Sequence, residues 1–301
     1  MTIVFHPLAG VRRHLMRLSV PRAEPRPYRS CFHRGTRCIA PTTAPAAALL
    51  FAALAVAAGT ASAQSGQDEL RRAPRGNLLP GIGATDPRQR VDPTAEPWRS
   101  LGRVQTEVGG RCTGTLVDSR TVLTAAHCLV ASRSGQFVQA RSVHFLLGYN
   151  LGQYTGHARV VSYTVGPGFT PGVAAMGPAG ADWALLTLER PIGAPGHILP
   201  LLRGTPQPGS PVMLGGYQQD RPETLSADTG CRLGSLTRRP SGHVLLAHDC
   251  AATRGASGAP MLARRPDGSG WGVVGVAVST IADATVASGH AVPAAAIGAN
   301  P

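Results

Sequence analysis

Three short stretches of the chain carry residue types that could do acyl-transfer chemistry together. The longest runs Cys112-Thr-Gly-Thr-Leu-Val-Asp-Ser-Arg-Thr-Val-Leu-Thr-Ala-Ala-His127-Cys128. A β-like run leads there into a histidine set among small residues, which let the chain turn tightly. A general base needs a fixed position and a pKa near neutrality, and a histidine on such a corner can supply both. The second stretch is Arg254-Gly255-Ala256-Ser257-Gly258-Ala259-Pro260. Glycines around Ser257 permit a tight turn that points backbone N–H groups inward. Donors of that kind stabilise charge on an attacked carbonyl by about 2.7–4 kcal/mol each. The third is Asp182, in Gly180-Ala-Asp-Trp-Ala-Leu-Leu-Thr-Leu-Glu, just ahead of an apolar run. A carboxylate can hold an imidazole in one tautomer and offset the imidazolium charge without taking the proton. The competing carboxylates Asp220, Glu223, Asp228 and Asp249 lie in loops or beside a cysteine, with no following Ala-Leu-Leu run. A lipase-type G-x-S-x-G elbow is excluded because residue 259 is Ala.

The elements that must position these residues read as strands. From Leu101 onward, short runs rich in Val, Leu and Thr are bounded by Gly, Pro, Asp or Ser. Examples are Thr115–Val117, Thr121–Thr124, Ser142–Leu147, Ala158–Tyr163, Trp183–Leu188, Pro211–Leu214, Gly242–Ala247 and Gly272–Ser279. That pattern predicts an all-β barrel or sandwich. The only helix candidates are a turn after His127 and the segment Val292–Gly298. Alternating α and β segments are missing, which argues against an α/β hydrolase.

Taken together, the three stretches resemble the trypsin/chymotrypsin family of serine proteases. Thr124-Ala-Ala-His-Cys is similar to that family's histidine segment, Gly255-Ala-Ser-Gly-Ala-Pro to its G-x-S-G-x-P motif, and Asp182-Trp-Ala-Leu-Leu-Thr-Leu to the context of its acid. The order His127, Asp182, Ser257, with separations of 55 and 75 residues, is also that family's order. The resemblance covers about residues 96–293. It implies an all-β fold of two antiparallel six-stranded β-barrels, with the active site in the cleft between them. His127 and Asp182 would come from the first barrel and Ser257 from the second. It further implies a cofactor-free endopeptidase acting on proteins or peptides through an acyl-enzyme on Ser257. His127 would be the general base and then acid, Asp182 would orient it, and the N–H groups of Gly255 and Ser257 would form the oxyanion hole. Two alternatives stay open: a non-catalytic secreted binding protein that keeps the fold, and an envelope quality-control protease of the HtrA type. The second would need a PDZ domain, and only about 40 residues follow Ser257, all needed to finish the second barrel.

Within the family, Gly83-Ala-Thr-Asp-Pro-Arg-Gln-Arg-Val and Glu96-Pro-Trp-Arg-Ser-Leu-Gly-Arg-Val resemble the beginning of bacterial V8-like proteases, many of which are glutamyl endopeptidases. Two departures stand out. Animal enzymes of the family place an Asp just before the catalytic Ser, where it pairs with a new N-terminal ammonium on activation; here that residue is Ala256. The base of the specificity pocket would fall at Ala251 and Ala252, so no Asp awaits an Arg or Lys side chain. One pocket wall would be Gly275-Val-Ala-Val-Ser-Thr280, and glutamyl endopeptidases carry a His there where this chain has Ala277. His290, near the back of the expected pocket, and Arg254 at its rim are the remaining candidates for reading an acidic side chain, with a loop histidine as the plainer account of His290. The expectation is a small-to-medium apolar pocket.

Composition sets the surroundings. All 29 basic residues are Arg, and the net charge is +13. Residues 1–63 hold eight Arg against Glu24, and the remaining Arg are scattered rather than gathered in a stripe. No nucleic-acid partner is therefore expected. Pro45 to Ala63 is an apolar run with a core at about 46–60 that ends Ala61-Ser62-Ala63, the small-x-small pattern of a signal-peptidase site. An uncleaved anchor is the alternative reading of the run. Export to a secreted or periplasmic location is expected, without stable membrane association after cleavage. The four cysteines beyond the leader, Cys112, Cys128, Cys231 and Cys250, are then disulfide candidates, and proximity favours Cys112–Cys128 and Cys231–Cys250. A zinc site is the competitor, but no metal-ligand spacing supports one, and no acidic loop suggests calcium. The expected organisation is a leader over 1–63, a pro-segment or N-terminal arm over 64–98, and a protease domain over 99–300, its barrels meeting near residue 200. A monomer is expected.

Overall fold

The computed structural model describes residues 79–171, 179–204, 207–238, 242–281 and 286–298. The apolar run, the cleavage site at Ala63, Cys31, Cys38 and the first part of the arm lie outside the described residues. What is described belongs to one unit, Gln64–Pro301.

Six strands close the first barrel: β2 (Leu101–Thr106), β3 (Arg111–Asp118), β4 (Thr121–Thr124), β5 (Val143–Leu147), β6 (Gly156–Val165) and β7 (Ala184–Leu188), following the two-residue β1 (Gln89–Arg90). They hydrogen-bond in the ring β2-β3-β4-β7-β6-β5, and every pairing is antiparallel. Alternation decides what faces inward. In β5, Val143, Phe145 and Leu147 are buried while His144 and Leu146 are half-buried; in β7, Ala184, Leu186 and Leu188 are buried in the same rhythm. Each fully buried Leu or Phe contributes roughly 1.5–3 kcal/mol of transfer free energy.

The second barrel contains β8 (Pro211–Gly216), β9 (Ser226–Arg238), β10 (Val244–His248), β11 (Pro260–Arg264), β12 (Trp271–Thr280) and β13 (Gly289–Pro293). The order β9-β10-β13-β12-β11-β8 closes through an added β8–β9 pairing, and β1 is laid on the outside of β9. The fold is therefore two closed antiparallel six-stranded barrels, as expected. β9 was not legible in the sequence: its Asp, Thr, Gly and Arg residues hide a strand thirteen residues long. The expected C-terminal helix is a correction. Val292 and Pro293 finish β13, and only Ala294–Ala296 turn, as a single 3-10 turn. Pro293 ends the strand and Gly298 follows too soon for an α-helix to nucleate. The turn after His127 is likewise a 3-10 turn, Ala126–Leu129. Among the described residues no helix is long and apolar enough to cross a membrane.

Candidate active site

His127 sits on the corner that leaves β4, within the 3-10 turn Ala126–Leu129. A disulfide from Cys128 to Cys112 ties that corner back to β3. Asp182 lies just ahead of β7, the strand paired with β4, and it grips the histidine twice. Its Oδ1 accepts the His127 backbone N–H at 2.9 Å and its Oδ2 lies 2.7 Å from Nδ1. A carboxylate can only accept, so Nδ1 carries the hydrogen and Nε2 is left as the basic nitrogen. The carboxylate side chain is 14% exposed against 37% for the imidazole, so the carboxylate is the more sheltered of the two. The competing carboxylates are spent elsewhere. Asp220 is paired with Arg88, Glu223 with Arg103 and the Tyr149 hydroxyl, Asp228 with the Ala251 and Gly230 amides, and Asp249 with the Arg232 amide.

Ser257 comes from the loop between β10 and β11, yet it is pinned to the corner that bears His127. Its carbonyl accepts the Thr113 N–H at 2.9 Å and lies 3.8 Å from Cys128 Sγ. The glycines on either side of Ala256-Ser257 have φ of +90° and +80°, a region that side chains rarely adopt. A Cβ on Gly258 would also collide with Thr124 Oγ1 and the Thr113 carbonyl. The two barrels thus meet on glycine because only bare backbone fits between Ser257 and the histidine corner. Thr113, fully buried on β3, is one residue that sequence reasoning passed over. Its hydroxyl donates to the Gly255 carbonyl at 2.8 Å and accepts the Tyr217 N–H at 2.9 Å, joining three segments at once. A threonine in a strand gives no signal of that role.

Beside Ser257 lies a cavity of about 180 Å³ lined by residues that include Ala252, Thr253, Arg254, Ala256, Ala277, Thr280 and His248. Of the pocket residues expected from sequence, Ala252, Ala277 and Thr280 line it. Ala251 is fully buried with its amide on Asp228. His290 is half-buried on β13, its Nδ1 3.4 Å from the Ser279 hydroxyl. No carboxylate is among the lining residues.

His248, at the end of β10, was not anticipated. Its Nδ1 accepts the Cys250 N–H at 3.2 Å, which leaves the hydrogen on Nε2, and Nε2 is buried without a protein partner. The adjacent residue on β13 is Gly289, where a Cβ would press on the His248 Cε1–Nε2 edge. Only a glycine fits against that edge. Burial, with help from the nearby His290, pushes the His248 pKa down to about 4, so at neutral pH it is an uncharged N–H donor. The signal in the sequence was a histidine beside Asp249-Cys250, hidden because its strand had to be placed first.

The four cysteines form the disulfides Cys112–Cys128 and Cys231–Cys250. His127 lies close to the first pair and Asp249 to the second, but disulfide sulfurs have no thiolate to offer a zinc ion.

Comparison with known proteins agrees with this architecture. The profile of the trypsin-like peptidase domain matches residues 112–276, and the chain belongs to that family. A glutamyl endopeptidase from Bacillus licheniformis is 28% identical over 142 residues, which is 46% of this chain. The match spans only 42% of that relative's length. A solved structure of Glu endopeptidase in complex with MPD superposes with a TM-score of 0.56 at 22% identity, over 72% of this chain and 95% of that one. Both relatives fall in the V8-like branch of the family.

Proposed function

We propose that the protein is a secreted serine endopeptidase in which Ser257 is the nucleophile, His127 the general base and acid, and Asp182 the group that orients it. The observation that carries this reading is the double grip of Asp182 on the His127 amide and ring, on the corner to which the Ser257 loop is bonded. With Nδ1–H held by the carboxylate, Nε2 can take the Ser257 proton as Oγ attacks a peptide carbonyl. Asp182 then stabilises the imidazolium, and the same proton passes to the leaving amine. The N–H groups of Gly255 and Ser257 receive the oxyanion. Water, activated by His127 in the same way, releases the acyl group.

The pocket beside Ser257 would receive the side chain on the acyl side of the bond. A Lys or Arg there would find no carboxylate among the lining residues, and burying an uncompensated cation is costly. The sequence suggested a small-to-medium apolar pocket, with His290 and Arg254 as candidates for reading an acidic side chain. His248 among the lining residues adds a polar group to the wall of that pocket, which supports a small-to-medium side chain with a polar end. The two relatives are named for cleavage at glutamate, and an acidic residue meets that description even though Ala277 stands where such enzymes carry a histidine. Two disulfides suit the oxidising compartment that export implies.

Profiling a proteome-derived peptide library tests the reading. Cleavage should occur with wild type, vanish with Ser257→Ala, and avoid Lys and Arg on the acyl side. Absence of cleavage by folded wild type would overturn the enzyme assignment, and dominant cleavage after Lys or Arg would overturn the pocket assignment.

A further inference from the structure

The loop that would form the oxyanion hole is held by three successive amides, each on a different partner. The Ala251 N–H is accepted by Asp228 at 2.9 Å, the Ala252 N–H by the Gly81 carbonyl at 3.0 Å, and the Thr253 N–H by Gln218 Oε1 at 2.8 Å. The second partner belongs to the N-terminal arm, and the third depends on it. Gln218 Oε1 also accepts from Arg88 of the arm at 2.7 Å. The Arg88 side chain is only 1% exposed. Its guanidinium is forked onto Asp220 at 2.8 and 3.0 Å and onto Asp86 at 2.9 Å through two nitrogens. Arg221 closes the group from outside by bonding Asp86 at 2.7 Å and the Arg88 carbonyl at 3.1 Å. From Thr253 the chain of contacts continues toward the nucleophile. Gln219 holds the Thr253 hydroxyl at 2.9 Å and the Arg254 carbonyl at 2.7 Å, and the Ala256 N–H bonds the Thr253 carbonyl at 3.1 Å.

A buried arginine with two carboxylates is expensive to assemble and adds little stability over an apolar substitute. What it adds is geometry: a planar fork fixes the direction of the groups it binds. Here the bound group is the amide oxygen that sets the Thr253 N–H. Meanwhile Ala256, 3% exposed, offers no carboxylate to which a newly freed N-terminus could pair. We propose that the arm is an activation element acting in cis, with Arg88 as a positioning residue that holds the oxyanion loop in its working shape through Gln218 and Thr253. The inference rests on the protease reading of Ser257. On this account, the loop is ordered by a residue inside the chain and needs no free terminal amine.

The absence of lysine makes the test clean, because the α-amino group is the only amine that acetylation can reach, and O-acetyl groups on Ser257 or tyrosine are removed with hydroxylamine before assay. Wild type, acetylated wild type, Arg88→Gln and Arg88→Lys are compared by steady-state hydrolysis of a peptide that the library identifies, well below each protein's melting temperature. Acetylation should leave kcat unchanged. Arg88→Gln should lower kcat by about 100-fold, the scale expected when reacting groups are displaced by roughly an ångström, with a much smaller change in KM. Arg88→Lys, which keeps the charge but loses the fork, should recover only part. Loss of activity on acetylation would overturn the proposal even if Arg88→Gln failed to fold. So would a folded Arg88→Gln variant with wild-type kcat, or one in which KM alone changes. Inactive wild type would instead count against the protease reading itself.

Discussion

The two barrels share a topology but are built for different tasks. The first is closed around an apolar interior with Phe145, Leu116, Leu123 and Leu186 all fully buried, and it presents the two proposed catalytic residues from one corner. His127 and Asp182 lie next to the paired strands β4 and β7, and a disulfide fixes the corner. Both barrels bury some polar groups, but in the second they gather around the loop that carries Ser257. Asp228, His248, Thr253 and Gln218 are all inside it or beside it, and its loop to Ser257 is held by side chains from four segments and by an arm that precedes the first barrel. Fixed machinery can be built from local sequence. The proposed pocket and oxyanion loop, which would have to match a substrate, are assembled from distant pieces, each satisfying a buried polar group of another.

The sharpest way to break this contrast is to remove chemistry from each barrel in turn. Ser257→Ala should lower kcat about 10⁶-fold and leave the thermal melt unchanged, as measured by hydrolysis and calorimetry. Asp182→Asn should cost about 10⁴-fold, because an amide can present its donor to Nδ1 and stabilise the wrong tautomer. If both variants instead lost stability with little change in rate per folded molecule, the first barrel's corner would be structural only.

A smaller effect separates scaffold from pocket. Phe145→Ala should destabilise the protein by about 4 kcal/mol in urea unfolding while leaving the cleavage profile of the folded fraction unchanged. His248→Leu should alter the profile near neutral pH and cost less stability, about 1–3 kcal/mol, because the buried Cys250 N–H loses its Nδ1 acceptor while Nε2 has no protein partner to lose.

The pH dependence of stability sharpens the same point. With a folded pKa of about 4 against 6.5 for an ordinary histidine, the unfolded chain binds a proton in that interval that the folded protein refuses. Stability is complete above pH 6.5, falls as the pH drops toward 4, and loses no more from this group below that. The difference is about 3 kcal/mol. Comparing urea midpoints of wild type and His248→Leu at pH 7.5 and 4.5 isolates it: wild type should lose more than the variant, and equal losses would show His248 to be solvated in the native state.

How much of this could be read from the sequence follows from the same contrast. Cys112 to Cys128 and Gly180 to Leu188 each contain a complete local unit; short Val-, Leu- and Thr-rich runs between turn residues pointed to an all-β barrel or sandwich, and the pair of six-stranded barrels came from the family resemblance. β9 was hidden, since a strand with polar residues on both sides carries no apolar rhythm. His248, Thr113 and Arg88 were hidden for another reason. Nothing adjacent to Thr113 or Arg88 in sequence indicates a role, and Asp249-Cys250 beside His248 points to one only after its strand is placed; the roles exist only once β10 meets β13, β3 meets the Ser257 loop, and the arm meets Gln218.

The central claim is that Ser257 is a nucleophile activated by His127, and covalent labelling tests it most directly. Treatment of the folded protein at pH 8 with a serine-directed diaryl phosphonate, followed by peptide mapping, should place one adduct on Ser257. Labelling should be absent in Ser257→Ala and much slower in Asp182→Asn. No adduct on a wild-type protein that melts cooperatively, or an adduct on another residue, would contradict the account.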